Sequence, residues 1–544
     1  MRDCSQWLLA GFLTWGVVGQ AGASAAAPPP TAPRPPAPTP PAPTVTLEAG
    51  VLEGIHFGRM PDEVAFLGVP YAAPPVADLR WKPPRPAGHW TGIRDATRFA
   101  AVCPQPPAGW LPHLAGNEDC LYLNVWTAQK SSGARQPVIV YFHGGSNRVG
   151  YSQLNPLGPA LAPLGVVFVS ANYRLGALGF LAHPALSAES EHHSSGNYGL
   201  LDQLQALKWV RDNISRFGGD PGRITVMGQS AGAVDICLLM TSPMASGLFE
   251  RAIMESGDCL SSFNKDIRRP IRYNSIVGTG EDAGRHLAKR LGVADDAAAL
   301  GKLRGFSADE ILKAGESPAI AFDAIVDGWV VPEQPAKVFA EGRQMHIPVL
   351  VGSNANEATV FGPGPTTVDE YKKFLRGDTG EHWGEELRAY PVESDVDVPA
   401  QSVRLRSDAF AFGAYETVKA MRHAGQKTYL YYFTFTESGK RAALGAYHGE
   451  ELMFLCDSFP ADWQRGPDED ALGQAMRTYW TRFATAGNPN ISGLPEWSAF
   501  DLKDPQFFEL GRRAMRPRPV LPQMDALNRI MHRIFADAGF VASN

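Results

Sequence analysis

No run of lysine and arginine occurs in this 544-residue chain, and its formal net charge is −6. It therefore lacks the basic footprint that nucleic-acid binding needs, and its mild acidity mainly serves solubility. Long apolar runs are missing as well. Beyond the first 27 residues no segment reaches the ~18 apolar residues required of a membrane-spanning helix. Cysteine is scarce, six in all, and no spacing among them matches a zinc site. There is no internal repeat and, after residue 45, no second low-complexity linker. Residues 45–540 thus read as one continuous domain, although length alone would allow several. With 44% hydrophobic and 19% charged residues, the composition is that of a globular protein able to build a large core.

The chain opens on an export signal. Arg2 precedes an apolar stretch from Trp7 to Val18, and Ala21-Gly-Ala23 and Ala23-Ser-Ala25 offer small-residue cleavage sites. The stretch is short for a membrane anchor, so residues 1–27 read as a signal peptide and the protein as secreted or periplasmic. Residues 28–44 form a Pro-rich linker, with ten prolines between 28 and 43. Such a segment cannot pack a core and makes an extended spacer of up to about 50 Å at 3.1 Å per residue. Discarding Cys4 with the signal leaves Cys103, Cys120, Cys237, Cys259 and Cys456, an odd count that demands at least one free thiol. Export permits disulfides, and a Cys103–Cys120 bridge would close a small loop.

Within the domain, short runs rich in Val, Ile and Phe recur: Val138–Phe142, Val166–Val169, Ile224–Met227, Ile347–Val351 and Tyr429–Phe433. Runs without strict alternation suit strands buried on both faces, as in a parallel sheet. Between them, Gly199–Phe217 places Leu200, Leu204, Leu207, Val210 and Ile214 at three- and four-residue steps, the stripe of an amphipathic helix. Alternating strands and helices predict an α/β fold with a mostly parallel central sheet flanked by helices. Ligand sites in such sheets lie beyond the carboxyl ends of the strands.

That rule sorts the candidates for chemistry. Gly228-Gln-Ser230-Ala-Gly232 follows the predicted strand Ile224–Met227 directly. In a chain with 55 glycines the pentapeptide alone is a weak signal, but its strand-to-helix context is not. A serine on so tight a turn needs small neighbours, and the helix beginning at Ala231 offers free N–H groups toward negative charge. Its hydroxyl needs a base to become a nucleophile. His143 comes too early for the serine, acid, histidine order of hydrolases built on this turn, and His192-His193 reads as a solvated pair. His448, in the loop after Tyr429–Phe433, is the candidate base. Glu357, past the end of Ile347–Val351, is the candidate acid that orients it, whereas Asp327 reads as a turn residue. A tetrahedral oxyanion needs preorganised N–H donors, and these are expected from Ala231 and, in the loop His143-Gly-Gly-Ser-Asn147, from Gly145 and Ser146.

These residues resemble the type-B carboxylesterase/lipase family, which includes the cholinesterases, from about Val45 to Phe535. The segment Phe217–Gly232 looks like its serine signature and Glu118–Val125 like its second signature; Phe66–Ala72 and Arg482–Asn490 are similar to its terminal landmarks. The resemblance implies an α/β-hydrolase fold, a triad of Ser230, Glu357 and His448, and a Cys103–Cys120 disulfide. It also implies a role near the triad for Ser256 in Glu255-Ser-Gly257. Three departures stand out. Gln229 occupies a position where glutamate is usual, altering a buried polar contact outside the triad. Ser146-Asn147 replaces Gly-Phe or Ala-Phe, removing an aromatic wall beside the scissile bond, and Asn147 is expected to leave a wider, more polar wall near the oxyanion donors. The Cys103–Cys120 loop is short, and Cys259 has no evident partner in Leu287–Val293. Trp110 sits where cholinesterases carry a choline-binding tryptophan, a coincidence in so short a loop.

The expected reaction is hydrolysis of a small-molecule carboxylic ester through an acyl-enzyme on Ser230, with no metal or organic cofactor. Its rivals are a catalytically silent binding module on the same fold, and an amidase or thioesterase using the same triad. The natural ester and the oligomeric state are not legible in the residues.

Overall fold

A computed structural model describes residues 41–539 of the protein, apart from 59, 61, 109–115, 129–132, 262, 263, 270–277, 297 and 318–320. The predicted signal peptide, most of the Pro-rich linker and Trp110 lie outside the described residues. The first six strands are β1 (Thr44–Leu47), β2 (Gly50–Glu53), β3 (Ile55–His56), β4 (Val64–Pro70), β5 (Ile93–Asp95) and β6 (Tyr122–Thr127). Then come β7 (Gln136–Phe142), β8 (Val167–Ala171), β9 (Gly219–Gln229) and β10 (Arg251–Glu255). The last four are β11 (Val349–Asn354), β12 (Thr428–Phe433), β13 (Gln506–Gly511) and β14 (Ala514–Pro519).

Strands β1, β2 and β5 make a small sheet beside an 11-stranded one, ordered β14-β13-β12-β11-β10-β9-β7-β8-β6-β4-β3. From β8 across to β13 every neighbouring pair is parallel, and antiparallel pairs occur only toward the edges. This is the mostly parallel, helix-flanked sheet of the α/β-hydrolase fold. Its physical basis is visible in β7. Val138, Val140 and Phe142 enter the core on one face of the sheet, while Ile139 and Tyr141 enter that on the other. A strand covered on both faces has no polar side to present, so alternation disappears from the sequence.

The helix Tyr198–Asn213 covers the first face with Leu200, Leu204, Leu207 and Val210, and a short 3₁₀ turn, Ile214–Phe217, continues it. Each such side chain, fully buried, is worth about 1.5–3 kcal/mol. The helix Pro467–Ala486 covers the other face with Met476, Tyr479, Trp480 and Phe483. A buried ion pair fixes the segment after β8: Arg174 donates from Nε and Nη2 to the two carboxylate oxygens of Asp202, each at 2.7 Å. Two oxygens meeting a planar guanidinium give the fixed geometry that a single point charge would not.

Two disulfides are present among the described residues, Cys103–Cys120 and Cys237–Cys259, with Cys456 left as a buried thiol. The second corrects the search for a partner of Cys259 farther along the chain. Parallel pairing of β9 with β10 brings the helix after one strand against the loop after the other. That neighbourhood is invisible in a spacing of 22 residues. No helix among the described residues is long and apolar enough to cross a membrane.

Candidate active site

Ser230 directly follows β9 with φ 56° and ψ −126°, a conformation that costs a non-glycine residue about 1–3 kcal/mol. The surroundings hold it there. Its N–H donates to Glu255 O at 2.8 Å, and its carbonyl accepts from Ala233 and Val234 N at 2.9 and 3.0 Å, opening the helix Ala231–Leu239. The flanking glycines are required by close approach. A Cβ on Gly228 would stand 2.5 Å from Gly232 C, and one on Gly232 would stand 2.1 Å from Phe142 O. The sharp turn lifts the serine to the carboxyl edge of the sheet.

The loop after β7 passes directly over this turn, since a Cβ on Gly144 would lie 2.9 Å from Ser230 Cβ. Gly145, Ser146 and Asn147 all have positive φ, at 117°, 55° and 53°. The N–H groups of Gly145, Ser146 and Ala231 donate to no protein acceptor among the described residues. Free amides at a helix start and in a strained loop beside one hydroxyl form a place for developing negative charge.

From β11 the chain runs into Glu357, whose buried carboxylate accepts from Asn354 N at 2.7 Å through Oε1. Its Oε2 lies 2.6 Å from His448 Nδ1, and His448 arrives on the loop after β12. This contact assigns the proton to Nδ1 and leaves a lone pair on Nε2. Phe361 and Phe410 pack on the imidazole, with ring centroids at 4.8 and 5.3 Å. Burial pushes the His448 pKa down, but the charge and hydrogen bond of Glu357, joined by Glu451, outweigh it and raise it above 6.5. Glu451 stands behind the pair: Asn354 Nδ2 donates to its carboxylate, and burial with the nearby Glu357 charge pushes its pKa up to about 7.

Two expectations about this site are corrected. The buried polar contact of Gln229 does involve the candidate triad. Gln229 Nε2 lies 3.1 Å from His448 Nε2, and the resting imidazole bonds this amide instead of the Ser230 hydroxyl. Asn147 is no polar wall of the acyl site. It is 2% exposed and turns inward, where Nδ2 donates to Asp235 Oδ1 at 2.9 Å. A left-handed φ swings its side chain away from the loop's outer face, and a buried carboxylate is there to receive it.

The other candidates fall into place around this centre. Ser256 is buried, with φ 52° and its N–H on Gly352 O, and the adjoining Gly257 packs against Ser230 O. Its hydroxyl has no hydrogen-bond partner among the described residues. His143 stacks on Tyr173, and burial lowers its pKa to about 4, so it stays neutral. Asp327 accepts from Trp329 and Val331 N and from Ser194 Oγ, as a turn residue does. His192 is exposed but stacks on Trp329 at 3.9 Å, a contact between distant segments that the sequence does not signal.

Known proteins offer a comparison. The family model "Carboxylesterase family" matches residues 41–526. Fumonisin B1 esterase of Sphingopyxis macrogoltabida is 37% identical over 486 residues, covering 84% of each chain. Neuroligin-3 of Mus musculus is 32% identical over 556 residues, covering 86% of this chain and 65% of that one. Among solved structures, a PNB esterase superposes with a TM-score of 0.75 at 29% identity, covering 89% of this chain and 99% of its own.

Proposed function

Given that the chain belongs to the carboxylesterase family and is a serine hydrolase of carboxylic esters, we propose that its chemistry runs on Ser230, His448 and Glu357. The observation that carries this reading is convergence at one edge of the sheet. A strained Ser230, a 2.6 Å His448–Glu357 contact and three unpaired N–H groups arrive from the ends of four different strands.

Substrate binding draws the Ser230 hydroxyl toward His448 Nε2, displacing the Gln229 amide. Nε2 takes the proton as Oγ attacks the ester carbon, and Glu357 stabilises the imidazolium it has oriented. The oxyanion is received by the N–H groups of Gly145, Ser146 and Ala231. Donors of this kind are worth about 2.7–4 kcal/mol each. Collapse expels the alcohol, which takes the proton from His448. Water, deprotonated by the same nitrogen, then releases the acid and restores Ser230. Ser256, beneath Ser230, supports the turn.

A silent binding module is the reading that the similarity to neuroligin-3 raises, and an amidase or thioesterase is the other. The intact constellation favours turnover, and the pocket's shape decides the leaving group. A fluorophosphonate reagent followed by peptide mass spectrometry should mark Ser230 and no other serine; an adduct elsewhere overturns the assignment. A substrate panel graded in acyl and alcohol size, with fumonisin B1 included, would set the range. Residues 1–27 direct export in this reading, 28–44 space the enzyme from its surroundings, and 45–540 form the catalytic domain, secreted or periplasmic.

A further inference from the structure

The inward turn of Asn147 ends on a group that the chemistry above does not use. Asp235 lies five residues after Ser230, on the helix Ala231–Leu239, and is fully buried. Among the described residues it has no cationic partner. Two amides serve it instead: Asn147 Nδ2 at 2.9 Å on Oδ1 and Gln203 Nε2 at 2.6 Å on Oδ2. Gln203 comes from the helix Tyr198–Asn213, so the carboxyl joins three separate elements. Asp323 Oδ1 lies 3.4 Å from the same Asn147 amide.

A buried carboxyl without a cation is costly, and an apolar side chain would pack the position more cheaply. Its geometry suggests what it does. The helix that carries Asp235 starts with Ala231, one of the proposed oxyanion donors, and the loop that carries Asn147 holds the other two. Ser146 and Asn147 are consecutive non-glycine residues at positive φ, so the loop will not keep its shape unaided. Other hydrogen bonds fix the loop elsewhere: Gly176 N donates to Asn147 O at 2.6 Å, Arg148 and Val149 N close on Gly145 O, Tyr173 Oη donates to His143 O, and Gln105 pairs with Gly150. Among the described residues the Asn147–Asp235 bond is the one that joins the loop to the helix Ala231–Leu239.

We propose that Asp235 is a positioning residue of the oxyanion hole, locking through Asn147 the loop of Gly145 and Ser146 to the helix of Ala231. The proposal rests on the reading of those three N–H groups as oxyanion donors. Stabilisation of the tetrahedral intermediate depends on donors placed to within a fraction of an ångström, and a misplacement of about 1 Å can cost about a hundredfold. The tether therefore acts on kcat and leaves substrate binding nearly untouched.

The test uses four variants of the full chain, with kcat and KM on a soluble ester, thermal midpoints and crystal structures. Asn147→Gly removes the amide but keeps the left-handed backbone available. Asp235→Leu removes the acceptor. Each should lower kcat between about tenfold and about a hundredfold with KM within about threefold, and the double variant should fall little further, because both break one link. Asp235→Asn should retain at least about a third of kcat. Its new amide can donate to Asn147 Oδ1, which has no hydrogen-bond partner among the described residues, while its oxygen accepts from Gln203. Lower thermal midpoints with kcat unchanged would make Asp235 merely structural and overturn the proposal, as would additive losses in the double variant. If Asp235→Leu does not fold, Asn147→Gly alone decides. A loop displaced in the Asn147→Gly crystal structure with parental kcat would overturn the assignment of Gly145 and Ser146 as donors; a loop left in place with parental kcat would overturn the tether alone.

Discussion

Replacing Gln229 by glutamate would put a carboxylate where an amide now lies 3.1 Å from His448 Nε2. Two unit charges at that distance attract by about 5 kcal/mol at an effective dielectric of about 20, before the cost of hydration lost by the new charge. Carboxylates this close raise a neighbouring base by about 1–3 pKa units in practice. The parent imidazole already sits above 6.5: burial works against its charge, and Glu357 and Glu451 more than compensate. Glu357 and Glu451, with Glu255 behind Glu451, remain in place in the variant, so the added carboxylate is the one change in charge. Only the neutral imidazole accepts the serine proton. Activity is therefore present above the folded-state pKa and lost as pH falls through it, and Gln229→Glu should move that loss to higher pH by about one unit or more. Below the limb, each unit is about a tenfold loss in kcat/KM. The assay is kcat/KM on a soluble ester from about pH 5 to about 9.5, with Gln229→Met as a neutral control whose limb should stay near the parent's. Glutamate and parent should converge at the alkaline end. Superimposable acid limbs, or a constant reduction at every pH, would refute this placement of Gln229 against His448 as the proposed base.

Other outcomes follow from the same geometry. Ser230→Ala should abolish turnover while substrate still binds, and adding His448→Ala should cost little more, since the two act as one unit; strongly additive losses in kcat would contradict this. Glu357→Gln should be severe but less complete, because it misorients the imidazole without removing it. Non-reducing peptide maps should recover Cys103–Cys120 and Cys237–Cys259, each closing a loop worth about 3 kcal/mol. Cys456, whose thiol burial pushes up to about 12, should resist alkylation until the protein unfolds; rapid labelling of the native protein would be the contrary result. N-terminal sequencing of the exported protein should begin between Ser24 and Pro28, and a retained Met1 would exclude cleavage.

Much of the site was legible because its chemistry is local. Gly228, Ser230 and Gly232 declare themselves within five residues, since a turn this tight leaves no room for other side chains. The five apolar runs located central strands to within a few residues, because burial on both faces suppresses polar positions. Glu357 and His448 followed from the rule that loops at the carboxyl ends of strands carry function, and from the order of the three groups along the chain. The helix of Leu200, Leu204 and Leu207 was equally plain, as a 3.6-residue period is a property of neighbouring residues.

What only the tertiary structure decided are the contacts between elements far apart in the chain. Gln229 meets His448 across 219 residues, and Asn147 meets Asp235 across 88. Neither pairing has a spacing that marks it. Side-chain direction mattered as much as distance: a positive φ at Asn147 turned an expected wall into a buried tether. The partner of Cys259 depended on which strands lie side by side, and strand order is a global outcome. Periodicity and tight turns are written in residues that touch along the chain, so the sequence alone determined the fold class and singled out the groups proposed to react. The polar partners that tune those groups are chosen by packing, and only the folded molecule brings them together.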